Sequence, residues 1–181
     1  MIKITIPAQE RYDEATNIFY QLGSDQTIML EHSLLSLSKW ESKWCKPFLE
    51  TQMTTEETLD YIRCMTVTPN VNPDIYKFLT NKNIEDVNEY IKSPMTATWI
   101  TEREGEKRGG RRIVTAELIY CWMITLQIPF DCEKWHLNRL LTLIRVCNEE
   151  NKPKKKMSAK EAARQRSSLN AKRRAKAHSR G

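Results

Sequence analysis

No stretch of this chain stays apolar for longer than Leu118–Ile124, far short of the roughly 20 residues that a membrane-crossing helix needs. The N-terminus shows no succession of basic, apolar and small residues of the kind that marks a secretory signal. The five cysteines (Cys45, Cys64, Cys121, Cys132 and Cys147) are odd in number and contain no CxxC pair. They read as reduced thiols of a cytosolic protein, not as a disulfide framework. There is no P-loop, no GxSxG, no HExxH and no dinucleotide fingerprint. Asp60, Glu85 and Asp86 show no spacing that argues for paired acid–base carboxylates. Cys132 and His136 stand four apart on a predicted helix, but no second His/Cys pair completes a metal site, so packing is the plainer reading. His32 reads as a cap or a buried hydrogen-bond partner before it reads as a general base. These absences point to a protein that is not an enzyme and holds neither cofactor nor metal.

Charge is distributed unevenly. The whole chain carries +6, yet residues 152–181 hold twelve Lys/Arg against one Glu, and residues 1–151 hold seventeen Lys/Arg against twenty-two Asp/Glu. A mildly acidic body is thus followed by a strongly basic tail, which bears on partners rather than on fold.

The body reads mainly helical. Ile2, Ile4 and Ile6 alternate with Lys3 and Thr5, the pattern of a short half-buried strand, and Thr27–Leu30 is its candidate partner. Tyr12 to Leu22 fits either a helix or a long hairpin connection. Thr54-Thr-Glu-Glu57 is a capping box opening a helix to about Val67, over which Leu59, Ile62 and Met65 or their neighbours are buried. Pro73, preceded by Asn72, starts a short helix to Leu79. A further helix spans 83–91 and stops at Ser93-Pro94. Residues 101–112 contain three of the five glycines and read as a mobile surface loop or a turn between short strands. Thr115 caps a predicted helix to Leu126 that is apolar all round and therefore expected to be central and buried. Asp131 caps the next, with Leu137, Leu140, Leu141 and Ile144 on one stripe. The fold class is mainly α (α+β): a helical bundle-like body over 1–151 with a small N-terminal β-hairpin, then a basic arm over 152–181, flexible or partly helical from the capping box at Ser158-Ala-Lys-Glu161.

The densest block is Leu30-Glu-His-Ser-Leu-Leu-Ser-Leu-Ser-Lys-Trp-Glu-Ser-Lys-Trp-Cys-Lys-Pro-Phe-Leu49. On a helix ended by Pro47, Leu34, Leu37, Trp40 and Trp44 share one stripe, and Lys39, Lys43 and Lys46 take the other side. The stripe reads as core, or as a partner-binding groove in which Trp40, Trp44, Lys39 and Lys43 meet the partner. Base stacking is the remaining alternative. The wording of this block resembles small proteins of long-tailed, siphovirus-type bacteriophages known as tail assembly chaperones. Two further blocks carry the same resemblance: Val114-Thr-Ala-Glu-Leu-Ile-Tyr-Cys-Trp-Met-Ile-Thr-Leu-Gln-Ile-Pro-Phe130 and Lys134-Trp-His-Leu-Asn-Arg-Leu-Leu-Thr-Leu-Ile-Arg-Val-Cys-Asn148. The basic ending from Lys154 onward is similar too, so most of the chain is covered.

The resemblance implies a nonenzymatic assembly factor. Its partner would be the tail tape measure protein, with the tail tube protein as a second candidate. It would act in the cytoplasm of the infected bacterium, alone or as an oligomer, and be absent from the mature virion. The tail adds its own candidates: Lys154, Lys155, Lys156, Arg164, Arg166, Lys172, Arg173, Arg174 and Lys176. Twelve cations in thirty residues can engage an acidic protein surface, or nucleic acid by counterion release, or be only a solubilising or translationally dictated end. The tail has no aromatic residue, so stacking on bases is not available to it. Two other roles compete with the chaperone reading: a nucleic-acid-binding accessory protein, and a structural neck or tail-completion component.

Overall fold

The computed structural model describes residues 1–14, 17–98, 113–151 and 159–176. Chain contacts divide it into two units, Met1–Asn148 and Glu149–Gly181. The first unit opens with one long hairpin built as two ladders. Strands β1 (Ile2–Ile6) and β4 (Gln26–Leu30) pair antiparallel, Ile2 opposite Leu30 and Ile6 opposite Gln26. Strands β2 (Gln9–Asp13) and β3 (Ile18–Leu22) continue it, Gln9 opposite Leu22 and Asp13 opposite Ile18. The ladders break where Pro7 has no N–H to give, and the Ala8 N–H is taken instead by Asp25 Oδ1 at 2.8 Å. The described residues of 12–22 therefore belong to a paired hairpin and not to a helix. Ile4, Ile6, Ile28 and Leu30 face inward and are buried, the half-buried alternation expected of β1.

Helix α1 (Leu34–Trp44) starts at Ser33, where Ser33 and Ser36 form a reciprocal capping box, and ends at Cys45 in the left-handed region (φ 53°). Helix α2 (Thr55–Met65) begins with the capping box of Thr54 and Glu57. It buries Tyr61, Ile62 and Met65. A 3-10 helix, Pro73–Phe78, has Asn72 as its cap and Pro at its first position. Helix α3 (Asn81–Lys92) starts two residues earlier than the pattern predicts, because Thr80 and Asn83 form another capping box. Asn83 also holds the hairpin, donating from Nδ2 to the Thr5 carbonyl at 3.1 Å.

Two expectations for the second half are corrected. Helix α4 (Ala116–Thr125) is not buried all round. Ala116, Ile119 and Met123 are enclosed, while Ile124 is 63% exposed and Cys121 is also exposed. Its apolar composition exceeds what one packed ridge can cover. Nor does Asp131 cap the last body helix. Phe130–Lys134 winds as a 3-10 helix with Asp131 in solvent beside Lys134, and α5 (Leu137–Asn151) starts only after His136. The Nδ1 of His136 accepts from the Asn138 N–H at 3.3 Å, and the Leu137 N–H is taken by the His32 carbonyl at 2.7 Å. Leu137, Leu140 and Ile144 lie in the core as the stripe predicts, with Leu141 half-buried.

The second unit contains α6 (Ala159–Lys176). The loop at 101–112, Ser158 of the second capping box and Lys154, Lys155 and Lys156 lie outside the described residues. No described helix is long and apolar enough to cross a membrane.

Candidate partner-binding surfaces

The tryptophan stripe divides into two parts. Leu34, Leu37 and Trp40 are fully enclosed. Trp40 packs edge-on against Phe48 with ring centroids 5.4 Å apart, and its indole N–H donates to the Glu57 carbonyl at 3.0 Å. A partner cannot reach Trp40 while the body is folded, so this part of the stripe is core. Trp44 is half-buried at the edge. Its indole N–H reaches Asp60 Oδ2 at 2.9 Å, and Lys43 Nζ meets the other oxygen, Oδ1, at 2.5 Å. Lys46 pairs with the buried Glu57 carboxylate at 2.6 Å. That bond, with the Thr54 N–H, holds the Glu57 carboxyl below its usual range. Both ammonium groups also sit over the Trp44 ring, at 5.4 and 5.9 Å from its centroid. Lys43 and Lys46 are thus exposed but not merely solvated. They fold over Trp44 and tie α1 to α2, and Lys39 is exposed as well.

Two histidines, His32 and His136, lie inside the body. His32 is buried with Nδ1 2.5 Å from the Tyr61 hydroxyl, and its ring lies 5.1 Å from that of His136. Burial, and secondarily the neighbouring His136, push the His32 imidazole down to about 3. Burial also lowers His136, whose Nε2 is 3.1 Å from the Tyr90 carbonyl. Both rings are neutral at pH 7. Both are enclosed, His32 with the Tyr61 hydroxyl as its hydrogen-bond partner. Cys132 lies in the 3-10 helix and His136 beyond it, so they do not share one helix. Among the described residues no group of three His, Cys, Asp or Glu is placed to hold a metal.

A cleft of about 490 Å³ runs between the hairpin and residues 68–78. Its walls include Tyr20, Thr27, Ile28, Val71, Ile75 and Phe78, and Asp74 is its one ionisable carboxyl. Gln21, Gln26, Thr68, Asn70 and Asn72 also line it, so the cleft is mixed in character and more polar than apolar.

Exposed apolar side chains also occur on and beside α4. Tyr120 stacks at 6.3 Å on Phe130, which is itself 56% exposed. The Tyr120 hydroxyl donates to Glu133 Oε2 at 2.8 Å, which holds the ring in place. Ile124 follows Tyr120 by one helical turn, Cys121 is beside it, and Ile113 is exposed just before the helix. Ile113, Cys121, Ile124 and Phe130 are thus exposed on and beside α4 with Tyr120 half-buried, an apolar strip interrupted by exposed Glu117, which lies three, four and seven residues before Tyr120, Cys121 and Ile124 on the same side. Sequence reading missed this strip. Its signal was the all-round apolar composition of α4, which fits an unpartnered face as well as a buried helix.

The basic candidates fall on α6 or outside the described residues. Arg164, Arg166, Lys172, Arg173, Arg174 and Lys176 are all exposed on α6. Comparison of the chain with protein-family models, with curated proteins and with solved structures finds no match.

Proposed function

We propose that this protein is a nonenzymatic phage tail assembly chaperone that binds the tape measure protein during tail construction. The reading rests on the resemblance of three sequence blocks. One structural observation supports it, the open apolar strip of α4 with Ile124 and Phe130 in solvent. A client helix that is aggregation-prone before assembly needs an apolar surface to lie on. An amphipathic helix docked along such a strip is the ordinary way of supplying one. The strip stands on a rigid base, because Ala116, Ile119 and Met123 anchor the same helix in the core. Binding takes place in the infected cell, and the chaperone leaves before the particle is complete.

The test is co-expression with the tape measure protein of the same phage, followed by affinity capture. The parent retains the client in soluble form, and Ile124→Asp with Phe130→Asp releases it while the body keeps its melting temperature. Full capture by that double variant would remove the strip from the interface. Failure of the parent to capture the tape measure protein, with this chain present in purified particles by mass spectrometry, would favour a structural neck or tail-completion component instead.

A further inference from the structure

We propose that α6 is a sequence-independent binding element for double-stranded DNA, seated in the major groove. The argument starts from how its cations are placed. Lys172, Arg173 and Arg174 are consecutive, so at about 100° per residue they splay round the helix axis. Arg164 and Arg166 point roughly 160° apart, and Lys176 adds a further direction. All six are exposed. The one large apolar side chain on the helix is Leu169, about half exposed. A helix that docks in a protein groove needs an apolar stripe at i, i+3, i+4 and i+7. α6 has none, which disfavours an apolar protein groove as its partner.

A helix with cations on all sides matches a site with negative charge on both walls. The major groove of B-form DNA is about 12 Å wide, close to the diameter of a helix with its side chains, and is flanked by both phosphate backbones. The six cations span about 18 Å of helix axis, over which a duplex presents on the order of ten phosphates. The deep, narrow major groove of A-form RNA does not admit a helix in this way. Single strands are bound chiefly by stacking on aromatic rings, and α6 has no aromatic residue. Its polar residues between the cations, Ser167, Ser168 and Asn170, are exposed and suit phosphate contacts, and cations splayed round the axis favour the two phosphate walls over one base edge. This element is independent of the α4 strip, and its failure would leave the client-binding reading untouched.

The experiment uses the full chain and a full-chain variant in which Arg164, Arg166, Lys172, Arg173, Arg174 and Lys176 are all replaced by Gln. Gln keeps helix propensity, and circular dichroism checks that both proteins have the same helix content. Fluorescence anisotropy follows a 20-base-pair mixed-sequence DNA duplex from about 50 to 200 mM salt. The parent should lose affinity with a log–log slope of about −4 to −5, as expected for about five released phosphate contacts. The variant should bind at least about tenfold more weakly at 50 mM with a slope shallower by about 3 or more. Scrambling the duplex sequence should change the parent affinity less than twofold. The proposal is overturned if the variant matches the parent in affinity and slope, or if the parent does not bind duplex DNA. It is also overturned if poly-glutamate binds the parent as tightly as the duplex, which would assign α6 to an acidic protein partner, or if the same strand unpaired binds as tightly.

Discussion

The Glu41 carboxylate on α1 holds the first helical N–H of α4, accepting from Ala116 at 2.7 Å, while its other oxygen accepts from the Phe48 N–H at 2.8 Å. Thr115, the residue at the cap position, makes no side-chain cap bond. A buried carboxylate on one helix therefore caps another, at the end where the helix dipole favours negative charge. Replacing Glu41 with Ala leaves two buried N–H groups without acceptors. A loss of about 2–4 kcal/mol follows from the cost of unsatisfied donors. Urea unfolding of Glu41→Ala measures it, and a change below about 0.5 kcal/mol would refute the role.

The two tryptophans should separate. Trp40→Ala removes an enclosed ring and the bond to the Glu57 carbonyl, and should cost about 3–5 kcal/mol. Trp44→Ala, at the edge and under two lysines, should cost less than half of that. Equal losses in denaturant titrations would place Trp44 in the core with Trp40.

Acid should weaken the body before its carboxylates titrate. The folded His32 imidazole is pushed down to about 3 and that of His136 is lowered too, against an ordinary value of 6.5. The unfolded chain therefore binds more protons between those limits. Stability is fully present above pH 6.5 and is lost as pH falls toward 3. The His32 contribution alone reaches about 3 kcal/mol at pH 4, taking 1.36 kcal/mol per pKa unit. His32→Asn should flatten the fall between pH 6.5 and 4. An NMR titration that places the His32 ring near 6.5 would contradict the mechanism.

Helix α4 should tolerate charge on one side only. Ile119→Asp forces a carboxylate into the core and should abolish soluble folded protein. Ile124→Asp faces solvent and should change stability by no more than about 0.5 kcal/mol. Trp122→Asp falls between them, since Trp122 is half-buried against the core. Insoluble Ile124→Asp protein would mean that the exposed side is covered.

Truncation after Asn151 removes no buried apolar side chain among the described residues of α6, and should leave the melting temperature within about 2 °C. The net charge changes from +6 to −5. A molten or insoluble truncated protein would show that the arm is needed for folding.

Local chemistry was legible in the chain. The capping box at Thr54, the Pro73 start with its Asn72 cap, the Pro47 stop and the isoleucine alternation of β1 each depend on residues a few positions apart, and each is where its pattern places it. The mainly helical class with its N-terminal hairpin follows from such signals summed along the chain. The unbalanced charge of body and arm is likewise a property of composition alone. What only the tertiary structure decided are relations between distant segments. Glu41 meets Ala116 across 75 positions, and Tyr90 reaches Glu31 across 59. The open side of α4 belongs to the same class, because an apolar residue carries no mark of whether a neighbour will cover it. Hydrophobic periodicity records which side chains would gain from burial, whereas chain packing determines which of them obtain it.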